Sequence, residues 1–199
     1  MAKHKLITKP GAYFITYTCY QWLSLIGITE CYDTIHKFFD LLRERGHDII
    51  GYTIMPNHMH MVVYYSGGRR SLNLEIGSGK RFIAYEIVSR LKKMGCYDIL
   101  KILTQGVKPK DSSRGKKHEV WIDSFDIKHC RTESFLLQKL NYIHNNPCQG
   151  KWSLAKTPAG YLHCSAAFYE GDRSIYPVRH YREILALLDI DESPPDDSS

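Results

Sequence analysis

Two histidines separated by a single residue, His58 and His60, lie in the apolar run HMHMVVYY. The β-branched and aromatic residues of this run predict a β-strand, in which residues i and i+2 project from the same face. Both imidazoles therefore project together, while Met59 and Met61 project the other way. Paired imidazoles form half of a metal site, although two polar residues on a solvated sheet face would show the same pattern.

A tyrosine flanked by two amides lies about 80 residues further along the chain. Gln138, Tyr142 and Asn146 are four residues apart on a predicted helix and so share one face. Pro147 disfavours helical backbone at the residue before it, which puts Asn146 at the helix end. The pattern leaves open whether Asn145 or Asn146 turns inward. It also leaves open whether the tyrosine is reactive or a half-buried packing residue.

The two segments together resemble a known pair of motifs. MPNHMHMVV (55–63) is similar to the histidine-hydrophobic-histidine (HUH) motif of single-tyrosine transposases, and YIHNNP (142–147) is similar to their nucleophile helix. The combination resembles the REP-associated tyrosine transposases, which are relatives of small insertion-sequence transposases. The resemblance extends roughly from Tyr13 to Trp152.

The resemblance implies a role for four residues. His58 and His60 match the metal-binding histidines, Tyr142 matches the nucleophile, and Asn146 falls where these families place an amide ligand. The implied reaction is a transesterification of single-stranded, hairpin-forming DNA. The tyrosine attacks a phosphate, forms a 5′-phosphotyrosine link and releases a 3′-hydroxyl.

The residue types suit this chemistry. A phenol is almost wholly protonated at neutral pH, so its attack on a phosphodiester needs a cation that offsets the developing charge. Two imidazoles and an amide leave such a cation its full charge, and water can complete an octahedral shell. We therefore expect Mg²⁺ or Mn²⁺, because zinc usually recruits cysteine or a third histidine.

The charge of the chain suits a polyanionic partner. The formal net charge is +6, but the first 188 residues hold 27 Lys and Arg against 16 Asp and Glu, which is +11. We expect single-stranded or hairpin DNA as the partner, although each Lys or Arg side chain could equally be a solvated surface charge. The candidate phosphate contacts are Arg69, Arg70, Lys80, Arg81, Arg90, Lys92, Lys93, Arg114, Lys116 and Lys117.

The elements that must position these side chains follow from periodicity and turn residues. Strands are predicted over 12–22, 48–55, 58–65 and 120–129, and a polar loop over 106–119. Helices are predicted over 31–45, capped by Thr29 and stopped by Gly46, over 71–94, over 133–145 with Thr132 as cap, and from about Pro177. This order predicts an α+β, ferredoxin-like (RRM-like) sandwich with a mostly antiparallel sheet and a C-terminal helical extension.

The chain divides into three parts. Residues 1–152 form the predicted catalytic domain, 153–190 the extension and 191–199 an acidic tail predicted to be disordered. The extension is rich in aromatic residues. We expect it to help hold a folded hairpin by stacking through Trp152, Tyr161, Tyr169, Tyr176 and the nearby Arg179.

Several classes of protein are disfavoured. No run of roughly 18 apolar residues predicts a membrane span, and the N-terminus lacks the pattern of a secretory signal, so we expect a cytoplasmic protein with six free thiols. A replication initiator or relaxase is disfavoured by the small size. The main alternative is a non-cleaving DNA- or RNA-binding protein on the same scaffold. Insertion-sequence relatives form homodimers whereas some REP-associated relatives are monomers, so the resemblance leaves the oligomeric state open.

Overall fold

The structure is a computed structural model that describes residues 6–122, 126–150 and 153–188. The strands are β1 (Gly11–Thr18), β2 (Asp48–Ile54), β3 (His58–Tyr65) and β4 (Asp126–Cys130). They form one antiparallel sheet in the spatial order β2-β3-β1-β4. This order, with a helix after β1 and another after β3, is the ferredoxin-like arrangement, so the predicted fold class is confirmed.

Helices cover both faces of the sheet. On one face, α2 and α3 pack against alternate residues of β1, including Tyr13, Ile15 and Tyr17. On the other face, α6 and α8 pack against Ala12 and Phe14. The helices are α1 (Leu25–Thr29), α2 (Tyr32–Glu44), α3 (Leu72–Lys93), α4 (Tyr97–Gln105), α5 (Pro109–Ser112), α6 (Glu133–Asn145), α7 (Ala166–Tyr169) and α8 (Tyr181–Leu188). None of the helices in the described ranges combines the length and the apolar run that crossing a bilayer requires.

The helix-end signals were correct in two cases and wrong in one. Gly46 has φ +83°, the left-handed geometry expected after α2. Thr132 caps α6 by accepting a hydrogen bond from Phe135 N at 3.2 Å. Thr29 does not cap α2, because its hydroxyl donates to Leu25 O at 2.6 Å inside α1, and α2 begins at Tyr32.

The strand predicted over 120–129 is shorter than expected. Within the described residues β4 covers only Asp126–Cys130, and residues 123–125 lie outside the described ranges. Trp121 instead makes an isolated bridge to Cys19 just after β1. The predicted loop over 106–119 contains the short helix α5, and α4 is an additional helix that the sequence pattern did not single out.

The extension packs against the free edge of β2. Ile54 N donates to His163 O at 2.9 Å and Ser165 N donates to Tyr52 O at 3.0 Å. Cys164 is buried beside Thr53, with Sγ and Oγ1 3.0 Å apart. All six cysteines are free, as predicted. The described part of the extension therefore packs directly on the core domain.

Three of the tyrosines expected to stack on DNA direct their hydroxyls into the protein. The hydroxyls of Tyr161 and Tyr169 donate to backbone carbonyls of β2 at 2.9 and 2.8 Å, and that of Tyr176 donates to Asp40 at 2.8 Å. Arg179 pairs with Asp48 at 2.8 Å. Tyr176 is 5% exposed and has no free ring face for DNA, whereas stacking through the partly exposed Tyr161 and Tyr169 stays a prediction. Trp152 and the acidic tail (191–199) lie outside the described residues.

A candidate active site and a separate basic cleft

The four residues expected to do chemistry line one cleft. Helix α6 crosses the sheet face from which His58 and His60 project, and it brings Tyr142 and Asn146 over them. The cleft has a volume of about 680 Å³. Met59 and Met61 project into the core on the opposite face, as the alternation predicted. Gln138 is exposed and is not among the lining residues.

Helix α6 is held close to the sheet at its C-terminal end. A Cβ on Gly51 of β2 would lie 2.5 Å from Leu140 Cδ2, so glycine permits this close approach. Thr53 Oγ1 donates to Ile143 O at 2.7 Å, and His144 Nε2 lies 2.9 Å from Ser165 Oγ. These contacts fix the last turn of the helix, which carries the candidate nucleophile and the amide.

The orientation of His58 is set by a neighbouring amide. Asn57 Nδ2 donates to Trp22 O at 3.1 Å, which directs Asn57 Oδ1 toward His58 Nδ1 at 2.7 Å. The proton of His58 therefore resides on Nδ1, and the lone pair of Nε2 faces Asn146 Oδ1 at 3.1 Å. Two acceptor atoms thus converge, which is the arrangement a shared cation satisfies.

His60 lies deeper in the cleft. Its Nδ1 is 2.9 Å from Thr16 Oγ1, and its ring centroid is 4.9 Å from that of His58. In the tautomer that metal ligation requires, Nδ1 donates to the threonine and Nε2 carries the lone pair. Burial, together with the positive charge of a protonated His58, lowers the pKa of His60 to about 3. Burial likewise lowers the pKa of His58, although the hydrogen bond that a protonated His58 would donate to Asn146 Oδ1 opposes this shift.

The donor atoms of the cleft could hold a divalent cation. Both imidazoles are neutral at neutral pH, which is the form that binds metal, and the amide adds an oxygen. Within the described ranges no group of three His, Cys, Asp or Glu side chains could hold a metal ion. Two imidazoles and an amide would leave the other positions of an octahedral shell to water or substrate, which is compatible with the expected Mg²⁺ or Mn²⁺.

Tyr142 stands over the histidines and remains accessible. Its side chain is 49% exposed, and its ring meets His60 edge-on with centroids 5.2 Å apart. Phe14 supports it from β1 at 6.1 Å. A substrate that entered the cleft would meet the phenol and the histidine pair together.

The structure distinguishes the two asparagines at the end of α6. Asn146 faces His58, whereas Asn145 is exposed and its Nδ2 donates to Asn141 O at 2.8 Å. Asn146 follows the last residue of α6, as Pro147 predicted. Its backbone nevertheless stays helical, with φ −53° and ψ −43°, because a 3₁₀ turn continues through residues 146–148.

Most of the predicted DNA contacts line a second cleft on the α3 side of the sheet. This basic cleft lies between α3 and residues 114–122 and has a volume of about 910 Å³. Tyr85, which is 71% exposed, and Trp121 also line it. The six predicted residues found there are Lys80, Arg81, Lys92, Arg114, Lys116 and Lys117.

The other predicted contacts differ among themselves. Arg69 and Lys93 are exposed and line neither cleft. Arg70 pairs with Glu75 at 3.1 Å. Arg90 pairs with Glu86 and Asp33 at 2.8 and 2.7 Å.

Arg90 also donates to two backbone carbonyls at the end of α1, Thr29 O and Glu30 O, at 3.1 and 2.8 Å. These contacts join α3 to the α1–α2 segment and give Arg90 a structural role, and a phosphate contact by Arg90 stays a prediction.

Two lysines that the sequence pattern did not predict also line the candidate active-site cleft. Lys128 of β4 and Lys139 of α6 both line it. Lys139 precedes Tyr142 by three residues and so shares its helix face, a signal that could have identified it. Lys128 enters through the pairing of β4 with β1, which no local pattern reveals.

Comparison with known proteins supports the fold. No protein-family model matches the chain, and no curated protein sequence matches it either. The structure of a REP-associated tyrosine transposase bound to a REP hairpin is 17% identical and covers 90% of this chain and 92% of that one, with a TM-score of 0.56. A candidate transposase from Deinococcus radiodurans R1 is 15% identical and covers 73% of this chain and 97% of that one, with a TM-score of 0.41. The first similarity shows that the chain has the fold of a REP-associated tyrosine transposase.

Proposed function

We propose that the protein is a metal-dependent, single-tyrosine transposase that cleaves and rejoins single-stranded, hairpin-forming DNA. One observation carries the proposal. Tyr142 and Asn146 lie in the same cleft as His58 and His60, although more than 80 residues separate the two pairs along the chain. The fold shared with a transposase solved on a REP hairpin supports hairpin DNA as the substrate class.

The residues of the cleft divide the work. His58, His60 and Asn146 would hold Mg²⁺ or Mn²⁺. When bound, the cation would stabilise the negative charge on a non-bridging phosphate oxygen. Tyr142 Oη attacks the phosphorus, a P–O bond to the tyrosine forms, and the P–O3′ bond breaks. The phenolic proton is lost and the departing 3′ oxygen gains one, so the charge balances. The resulting phosphotyrosine link conserves the energy of the phosphodiester bond, so that a 3′-hydroxyl can later attack it and rejoin the strand.

The geometry is compatible with a site contributed by one chain. Helix α6 packs on the sheet of its own chain, so the nucleophile and the histidines face each other without a partner subunit. We therefore propose that a monomer is competent for cleavage. A homodimer that exchanged α6 would have to break the contacts of Thr53 and His144 described above.

Covalent capture of DNA tests the function directly. The protein is incubated with labelled single-stranded hairpins taken from the DNA that flanks its gene, with Mg²⁺, Mn²⁺ or EDTA, and the products are separated on a denaturing gel. We expect a protein-linked DNA band that requires the metal. Hairpin binding without any linked product would instead favour a non-cleaving DNA-binding protein.

A further inference from the structure

Two lysines line the same cleft as the candidate nucleophile. Lys139 lies three residues before Tyr142 on the same face of α6. Lys128 is paired with Phe14 across the β1–β4 ladder, so the two side chains project from the same face of the sheet. The cleft thus has a histidine wall formed by β3 and a lysine wall formed by β4 and α6.

Aromatic rings fix the position of Lys139. Its Nζ is 4.7 Å from the ring centroid of Phe135 and 5.4 Å from that of Phe14. Both distances are within the range of cation–π attraction, which stabilises an ammonium group that would otherwise move freely. The charge is therefore held at a defined place beside the cleft.

The same phenylalanine organises the rest of the site. Phe14 stacks on His60 with centroids 5.6 Å apart and meets the ring of Tyr142 at 6.1 Å. The ammonium of Lys139, the phenol and the imidazole therefore all contact one ring. Movement of the lysine relative to the nucleophile is limited, because both belong to α6 and share this support.

Among the described residues that line the cleft, the charged side chains have one sign. The described residues that line it include no Asp or Glu, while Lys128 and Lys139 add two positive charges beyond any metal at the histidines. A chain of phosphates has more than one negative charge to place. With the scissile phosphate between the histidines and Tyr142, the next phosphate along the strand would lie nearer the lysine wall.

We propose that Lys139, assisted by Lys128, forms a phosphate subsite that binds a DNA phosphate adjacent to the scissile one. This subsite makes the cleaved strand cross the sheet from β3 toward β4 and sets which phosphodiester faces Tyr142. The placement of the scissile phosphate rests on the proposed function. The binding of a phosphate by the lysines is tested separately from cleavage.

The test measures whether the effect of removing one phosphate charge on affinity depends on one lysine. Short single-stranded oligonucleotides are made with a neutral methylphosphonate at one position at a time, and their affinities are measured by fluorescence anisotropy. The protein is full-length Tyr142→Phe, which prevents cleavage. The measurement is repeated with Lys139→Gln, Lys128→Gln, and Lys101→Gln as a control from the exposed face of α4.

When Lys139 is present, we expect a methylphosphonate at one position of the strand to weaken binding about three- to tenfold. In Lys139→Gln, a methylphosphonate at the same position should have little effect on affinity. The slope of log affinity against log salt should fall by about 0.7 in that variant, as for the loss of one phosphate contact on a single strand. Lys139→Arg, which keeps the charge, should restore the sensitivity. Lys139→Met keeps the contact with both rings and should behave like Lys139→Gln, which separates charge from packing.

Two results would overturn the subsite. In the first, every methylphosphonate position lowers the affinity equally, whether or not Lys139 is present. In the second, Lys101→Gln removes the sensitivity to methylphosphonate as much as Lys139→Gln does. The covalent capture assay with Tyr142 intact reports on the proposed function separately. A linked product without this dependence on Lys139 would support the proposed function and reject the subsite. Dependence on Lys139 without a linked product would support the phosphate subsite and reject the proposed cleavage.

Discussion

His58 Nε2 and Asn146 Oδ1 lie 3.1 Å apart, with the lone pair of the imidazole directed at the amide oxygen. Asn57 imposes this arrangement because it accepts the proton of His58 Nδ1 at 2.7 Å. Two acceptors at this distance repel unless a cation or proton lies between them, or the amide rotates to present its NH₂ group. The pair therefore defines where a metal would join β3 to the end of α6.

Replacing Asn146 should weaken metal binding more than replacing its neighbour. Asn146→Ala removes an oxygen ligand that water replaces in part, so we expect about tenfold weaker Mn²⁺ binding by titration calorimetry. Asn145→Ala is the matched control, since its amide donates to Asn141 O outside the cleft, and it should stay within about twofold. A larger defect in Asn145→Ala would show that the other amide is the ligand.

Loss of either histidine should remove the metal site altogether. His58→Ala and His60→Ala each delete an imidazole from the same strand face, so we expect Mn²⁺ binding to weaken at least about 100-fold and linked DNA to disappear. His118→Ala, in the basic cleft, controls for the loss of a histidine elsewhere. Unchanged Mn²⁺ affinity in both cleft variants would make the histidine pair structural.

Tyr142→Phe should separate binding from chemistry. The change removes one hydroxyl and leaves the ring against Phe14 and His60, so we expect no linked DNA while hairpin affinity stays within about threefold. Gel analysis and an anisotropy titration on the same preparation measure the two effects. Linked DNA at the wild-type level would show that a different side chain is the nucleophile.

The features that could be predicted from the sequence were those with a local period. Alternation placed His58 and His60 on one face, and four-residue spacing placed Tyr142 and Asn146 on another. The resemblance joined the two segments before any contact was known. The choice of Asn146 over Asn145 needed the structure, because it depends on a 3₁₀ turn that a proline rule alone does not foresee.

The features that could not be predicted depend on contacts with segments that are distant in the sequence, which decide whether a side chain is buried or exposed. Arg90 looks like a solvated base on α3, but the α1–α2 segment brings Asp33 and two carbonyls to it. Tyr176 looks like an exposed aromatic, but the extension folds back and buries it against α2. Lys128 reaches the active-site cleft only because β4 pairs with β1.

The basic cleft should contribute affinity without contributing chemistry. Replacing Arg114 and Lys117 with Gln removes two charges that line it, so the salt slope for single-stranded DNA should fall by about 1.4. Lys37→Gln on α2, which pairs with Asp33, is the control and should leave the slope unchanged. If the double variant also binds with an unchanged slope, DNA does not contact this cleft.

Acid should weaken the attachment of the extension to α2. His36 of α2 and His163 of the extension are half-buried, and their Nε2 and Nδ1 atoms, respectively, have no hydrogen-bond partner within the described ranges. Burial lowers the pKa of both, and a charge on His163 lowers the pKa of His36 further. Asp40 and Asp33, which oppose the shift of His36, and Glu30, which opposes that of His163, do not outweigh burial.

The direction of the pH effect follows from proton binding. An unfolded histidine titrates near pH 6.5, so below that pH the unfolded chain holds more protons than the folded one, and stability falls as the pH decreases. Urea denaturation at pH 7.5 and pH 5.5 measures this loss. His163→Phe keeps the stack on Tyr32, whose centroid lies 3.6 Å away, but cannot be protonated. We expect the variant to lose less stability than the wild type between the two pH values. It lacks the His163 imidazole, and its His36 is no longer opposed by a charge on residue 163. Equal losses would show that His163 does not account for the acid sensitivity.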